Sequence, residues 1–259
     1  MSQTAHLLYF SPTGTTRMIM TGIARGLAVE RVIHYDVTRP DSCFETDLTE
    51  GVAIIGVPVY AGRVPELCLQ RLQSITAQGL PCILVALYGN RAYEDTLVEL
   101  NDFAVTKGFS VIAAGAFVGE HSYSTPHCPI AAGRPDSEDL ALAERFGREV
   151  AAKIENGCLD PPEIKGNVPY RERVQFGGVA PETDRQRCTL CGRCAEVCPT
   201  GAIRVSDQVR TDADNCVMCC ACVKSCAANA RPFDHPRIAE RRGLLLQSCG
   251  EPKAPELFL

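Results

Sequence analysis

Tryptophan is absent from the 259 residues, which removes the largest side chain able to stack on a flat aromatic ligand. No uninterrupted apolar stretch approaches the ~18 residues of a membrane-crossing helix. The opening MSQTAHLLYF has no basic stretch ahead of its short apolar run and passes straight into a strand pattern, so no secretion signal or membrane anchor is expected and the chain reads as cytoplasmic. Lys/Arg-rich runs are also missing. With 26 Lys and Arg against 31 Asp and Glu, the net charge is -5, which argues against nucleic acid or an anionic membrane as partner. The 46% hydrophobic content is enough for packed cores of ordinary size, and the length suits two small domains.

Cysteine is abundant. Of 15 cysteines, most crowd between Cys188 and Cys226, in two runs that superpose position for position: Cys188, Cys191, Cys194 and Cys198, then Cys216, Cys219, Cys222 and Cys226. Such clustering differs from the scattered cysteines of a disulfide-stapled secreted domain and points to metal ligation. A C-x2-C-x2-C loop offers three thiolates at once, which suits a cubane cluster with a fourth ligand arriving from elsewhere. Tetrahedral zinc, the alternative, wants two separated C-x2-C knuckles and has no use for a third cysteine at the same spacing.

With Pro199, Thr200, Gly201, Ala202 and Ile203 after the first run, the region resembles bacterial two-cluster ferredoxins. The resemblance implies two 4Fe-4S clusters with crossed ligands: Cys188, Cys191, Cys194 and Cys226 on one, and Cys216, Cys219, Cys222 and Cys198 on the other. Two positions depart from the pattern. Ala227 replaces the proline that follows the last cysteine, and Cys220 stands where the first run has Gly192. Cys220 reads as a small buried thiol beside a cluster instead of a ninth ligand. Cys43, Cys68, Cys82, Cys128, Cys158 and Cys249 are scattered and read as structural, with Cys128 alone in a polar loop as the candidate reactive thiol.

The first 158 residues alternate strand and helix patterns. Strands are expected at 6–10, 31–36, 52–57, 82–87 and 110–118, and helices at 14–28, 66–77, 94–107 and 136–156. Alternation of this kind implies an α/β fold with a parallel, doubly wound sheet of five strands. Residues 159–180 form a Pro/Gly-rich linker whose Tyr, Val and Phe suggest packing along a surface. The cysteine domain, a small α+β unit, spans 181–234, and 235–259 reads as one short helix followed by a Pro-containing tail.

After the first strand, Ser11, Pro12, Thr13, Gly14, Thr15 and Thr16 make a hydroxyl-rich turn that leads into a helix. Helix-start N–H groups and hydroxyls together bind an anion. The turn lacks the spacing of a dinucleotide motif and the lysine of a triphosphate loop; a plain helix cap is the competing reading.

LLYFSPTGTTR resembles the flavodoxin signature, and the likeness extends over about residues 5 to 155. It implies that Ser11, Thr13, Gly14, Thr15 and Thr16 wrap the phosphate of FMN, and that the flavin ring lies against two further loops: Pro58, Val59, Tyr60, Ala61 and Gly62, and Tyr88, Gly89, Asn90 and Tyr93. Tyr60 falls where many flavodoxins have Trp, and Tyr93 near their stacking Tyr. Met20 departs from a usually small position. The whole chain resembles flavodoxin-ferredoxin fusion proteins, with cofactors FMN and two 4Fe-4S clusters. That implies electron transfer with redox protein partners, and leaves a homodimer open. The rival reading is a flavin-dependent oxidoreductase acting on a small substrate under the segment from His121 to Arg134, which equally suits a cover over the flavin, a contact for the ferredoxin domain, or an ordered insertion. Seven Lys/Arg and seven Asp/Glu between residues 181 and 234 leave the ferredoxin region without a strongly acidic surface.

Overall fold

The computed structural model describes residues 4–175 and 177–259. Residues 1–3 of the expected first domain and Phe176 of the expected linker lie outside the described residues. In chain order the first part runs β1 (Thr4–Tyr9), α1 (Thr15–Gly26), β2 (Arg31–Asp36), β3 (Thr46–Leu48), β4 (Val52–Pro58), α2 (Glu66–Leu72), β5 (Ile75–Ala77), β6 (Leu80–Tyr88), α3 (Thr96–Thr106), β7 (Phe109–Val118) and α4 (Ser137–Glu155). Strands β1, β2, β4, β6 and β7 pair in parallel. Counting those five alone, their order is 2-1-3-4-5, the flavodoxin-like winding.

The central strands are apolar throughout because helices cover both faces. One face packs Leu8, Ile55 and Leu84 with Leu97 and Leu100 of α3. The other packs Leu7, Ile54 and Val85 with Ile19 and Ile23 of α1 and Phe146 of α4. Met20 fits because Gly56 of β4 lacks a side chain: a Cβ there would lie 2.1 Å from the methionine sulfur. The helix expected over 66–77 stops at Leu72, since Ile75–Ala77 instead pairs in parallel with Thr46–Leu48. The β-branched Ile75 and Thr76 suit that strand better than a helix end.

The remainder contributes α5 (Arg193–Glu196), β8 (Ile203–Val205), β9 (Val209–Thr211), α6 (Ala221–Lys224), α7 (Pro236–Ser248) and β10 (Glu256–Phe258). Strands β8 and β9 form an antiparallel hairpin. The His235 side chain caps α7 by accepting the N–H of Arg237, and Pro236 opens the helix. The tail then returns to the first sheet. β10 pairs antiparallel with β7 and adds a sixth strand to the five expected.

Two polar fastenings hold these returning segments. Asn90, 2% exposed, donates through Nδ2 to the carbonyls of Cys249 and Glu251 at 2.7 and 2.9 Å, and accepts the N–H of Lys253 at 2.9 Å. Asp95, at the head of α3, accepts N–H groups of Asn167 and Arg171. Burial alone would raise the Asp95 carboxyl, but these donors outweigh it and hold its pKa low. Buried Glu99 likewise meets Arg63 and Arg173. Among the described residues no helix is long and apolar enough to cross a membrane.

Asn90→Ala leaves one N–H and two carbonyls of the tail without their partner. The expected cost is about 1–3 kcal/mol, with faster proteolysis after Ser248; unchanged denaturant midpoint and cleavage rate would show that the tail is held by β10 alone.

Candidate functional site

A cleft of about 1160 Å³, including its open mouth, lies outside the carboxyl ends of the parallel strands. Thr13 and Thr15 form one end, Pro58 to Ala61 and Tyr88 with Gly89 form the floor, and residues 119–123 form a side. Gly14 sits in the left-handed region at φ 83°, so the chain turns into α1 with no side chain capping the helix start. The Ser11 hydroxyl accepts the N–H of Arg17 at 3.1 Å. Among the described residues no acceptor takes the N–H of Thr15 or Thr16, and the Thr13 and Thr15 hydroxyls lie 3.2 Å apart. Uncommitted N–H groups beside paired hydroxyls suit a phosphate dianion.

The opposite wall comes from the other half of the chain: Val217 and Met218 of the second cysteine loop, and Arg241, Leu244, Leu245 and Ser248 of α7. Nothing in the local sequence of these residues signals a ligand site. Tyr60 joins the two halves, lining this cleft and also a second one that it shares with Cys216 and Val217. Burial, and next the thiols of Cys219 and Cys220, push its phenol well above the usual pKa.

The cysteines gather in two groups. Cys198, Cys216, Cys219 and Cys222 surround one space of about 340 Å³, and Cys188, Cys191, Cys194 and Cys226 surround another of about 350 Å³. The fourth cysteine of each run thus sits with the first three of the other. Among the described residues no three His, Cys, Asp or Glu side chains converge on a single ion position. A cubane spreads four thiolates over four irons, and each space brings together four cysteines of the two runs, so the donor sets fit clusters.

The two cysteine runs are related but placed differently. Leu190 and Met218 share a positive φ, as do Gly192 and Cys220. Cys220 therefore occupies a glycine-type position, buried, with its Sγ 3.7 Å from the Met218 carbonyl. Leu190 is 43% exposed where Met218 is 6% exposed. The first cysteine loop therefore has Leu190 and Cys191 exposed, whereas the second turns Val217 and Met218 to the cleft.

The segment after β7 serves both the cleft and the contact between the halves. Glu120 pairs with Lys224, the Tyr123 carbonyl accepts from Arg242 at 3.0 Å, and the Tyr123 ring meets Phe233 edge-on at 5.9 Å. His121 Nδ1 accepts the backbone N–H of Tyr123 at 3.0 Å, so the neutral ring carries its proton on Nε2, within the cleft lining. Gly89 makes room for this ring: a Cβ would lie 2.5 Å from His121 Cδ2. Burial, then the Arg91 and Lys224 cations, lower the His121 pKa to about 4. His127 is exposed, Arg134 pairs with Asp139, and Cys128 donates to the Arg242 carbonyl.

Of the residues singled out in sequence, Thr13, Thr15, Pro58, Val59, Tyr60, Ala61, Tyr88 and Gly89 line the cleft. Ser11 and Gly14 shape the turn behind it, and Thr16 is buried against Gly56. Gly62, Asn90 and Tyr93 do not line it. Gly62 backs onto Glu94, Asn90 holds the tail, and buried Tyr93 packs on Tyr88 and donates to Glu256 at 3.0 Å. The tail draws both Asn90 and Tyr93 away from the cleft.

Residues 181–204, which hold the first cysteine run, match the 4Fe-4S binding domain family. NADH-quinone oxidoreductase subunit I 2 of Rhodopseudomonas palustris (strain BisB18) is 35% identical over 68 residues, 26% of this chain and 39% of that protein. The chain thus spans about two fifths of the length of that relative. Solved structures similar to the chain include a Fusobacterium nucleatum flavodoxin bound to flavin mononucleotide, at 21% identity and TM-score 0.41, covering 61% of this chain and 99% of that one. A flavodoxin from Archaea aligns at 14% identity and TM-score 0.37, covering 59% and 99%. The rubredoxin oxygen:oxidoreductase of Desulfovibrio gigas aligns at 11% and 0.38, covering 61% and 37%.

The lowered His121 pKa predicts a pH dependence of stability. The unfolded chain takes up a proton near pH 6.5 while the folded ring stays neutral until about pH 4, so stability falls as pH drops through this window. Between pH 7 and 5.5 His121 should contribute a loss of about 1 kcal/mol, read from urea midpoints, and His121→Gln should remove that part. Equal losses in both proteins would refute it.

Proposed function

We propose that the chain is an electron-transfer protein that binds FMN in the cleft and two 4Fe-4S clusters in the cysteine groups, and that passes electrons between them within one molecule. The observation that carries this reading is the shared wall: Val217 and Met218, between two ligands of the second cluster, line the same cleft as Thr13, Tyr60 and Tyr88. When bound, FMN exchanges two electrons and the clusters exchange one at a time.

The residues divide the work. Thr13, Thr15 and the α1 N–H groups hold the phosphate. Tyr60 and Tyr88 flank the ring, and an aromatic face disfavours the electron-rich reduced flavin. His121, whose Nδ1 accepts the Tyr123 N–H, offers Nε2–H as a donor. Docked α7 keeps solvent from one side. The second cluster is the near one, and the first, beside exposed Leu190 and Cys191, is the outlet to redox protein partners.

Purified holoprotein should contain FMN with eight irons and eight sulfides per chain. Cys226→Ser should lose the cluster of Cys188, Cys191 and Cys194, while Cys220→Ala keeps the iron count. Thr13→Val or Thr15→Val should weaken FMN by about 1 kcal/mol, roughly fivefold in Kd. Zinc, four irons or FAD would each overturn the assignment.

After rapid mixing with a flavin reductant, cluster bleaching should follow at a rate independent of protein concentration. A rate linear in concentration would place the transfer between molecules. Oxidation of the flavin by a small substrate, with the clusters as acceptors, would favour an oxidoreductase instead.

A further inference from the structure

Arg231 is 3% exposed and no carboxylate pairs with it among the described residues. Its Nη1 donates to the Thr183 hydroxyl at 2.5 Å and its Nη2 to the Thr211 hydroxyl at 2.8 Å. Neither partner carries charge, and Nε has no acceptor at all. A guanidinium cannot shed its proton to escape burial. Taking such a cation out of water without a counter-charge costs several kcal/mol, so a compensating negative charge is needed close by.

The surroundings name that charge. Arg231 lines the space enclosed by Cys188, Cys191, Cys194 and Cys226, and its Nη2 lies 3.9 Å from the sulfur of Cys222, a member of the other group. One side chain therefore touches both cysteine sets. A cubane held by four thiolates is anionic, and it gains one further negative charge for each electron it accepts.

Resting on the two-cluster reading above, we propose that Arg231 is the buried counter-charge shared by both clusters, a positioned cation that favours their reduced states and raises their potentials. It is a tuning residue and takes no electron itself. The guanidinium itself is buried and borders both cysteine sets, so little water lies between it and either of them, and the Thr183 and Thr211 hydroxyls fix its direction.

The test compares Arg231→Met, Arg231→Lys and the control Arg187→Met by potentiometric titration of the holoprotein with electron paramagnetic resonance, after iron and sulfide analysis. Arg187 is an exposed cation next to Cys188. At the potential where a wild-type cluster is half reduced, Arg231→Met should lower the reduced-to-oxidised ratio about tenfold in at least one cluster, a midpoint shift of about 59 mV for one electron. Arg231→Lys should retain most of the wild-type potential, and Arg187→Met should leave it unchanged. Iron loss in Arg231→Met alone, with Arg231→Lys fully loaded, would equally support the role of the charge. Fully loaded Arg231→Met titrating with the wild type, an equal shift in Arg187→Met, or iron loss from both Arg231 variants would overturn it. A wild-type protein without eight irons would instead overturn the two-cluster reading, before any variant is compared.

Discussion

The contact between the second cysteine loop and the loops at the carboxyl ends of the parallel strands governs the rest of the molecule. Tyr60 stands at that contact, lining the cleft on one side and sharing a second cleft with Cys216 and Val217 on the other. The proposed electron transfer over such a junction would fall steeply with separation, and two independently tumbling domains would serve it poorly. The chain fixes the separation with strong polar fastenings away from the cleft: Asp95 and Glu99 grip the connecting segment, Asn90 grips the tail, and Arg71 donates to the Pro199 carbonyl at 2.7 Å. Each of these contacts is directional and leaves a buried polar group unpaired when it is broken, which disfavours rearrangement of the segments they hold.

Internal repetition gives the cysteine region two near-equal halves, and docking makes them unequal. Met218 is covered by the first domain while its counterpart Leu190 remains open. The same asymmetry accounts for Cys220. Its counterpart Gly192 meets the left-handed backbone at no steric cost, whereas Cys220 accepts a strain of about 1 kcal/mol in return for filling the apolar cluster of Tyr123, Met218 and Phe233. A glycine there would leave a void where the halves meet.

Much of the fold was legible because its signals are local. Short apolar and β-branched runs marked the five parallel strands, amphipathic stretches marked their helices, and the cysteine spacing marked two triplets of metal-binding character, while the crossed assignment of the fourth cysteines came from the ferredoxin resemblance. The hydroxyl turn was legible for the same reason. What escaped depends on contacts distant in sequence. β10 is three residues long, too short for a pattern, and exists only because β7 offers an open edge. Asn90 and Tyr93 lie in a loop that resembles a flavin-binding one, yet the tail claims both. Arg241, Leu244 and Ser248 look like an ordinary exposed helix face until α7 is laid over the cleft. Arg231 gives no sequence signal; its proposed role comes from its burial beside both cysteine groups with no carboxylate paired to it among the described residues.

The late return of β10 bears on how the chain is made. β7 ends at residue 118 and β10 begins at residue 256. At 5–20 residues per second, the ribosome needs on the order of ten seconds to supply the strand that seals β7. Throughout that interval the nascent sheet presents an open edge, the template on which neighbouring chains aggregate. Until β10 is made, the β7 edge has only its own side chains and the growing chain to cover it.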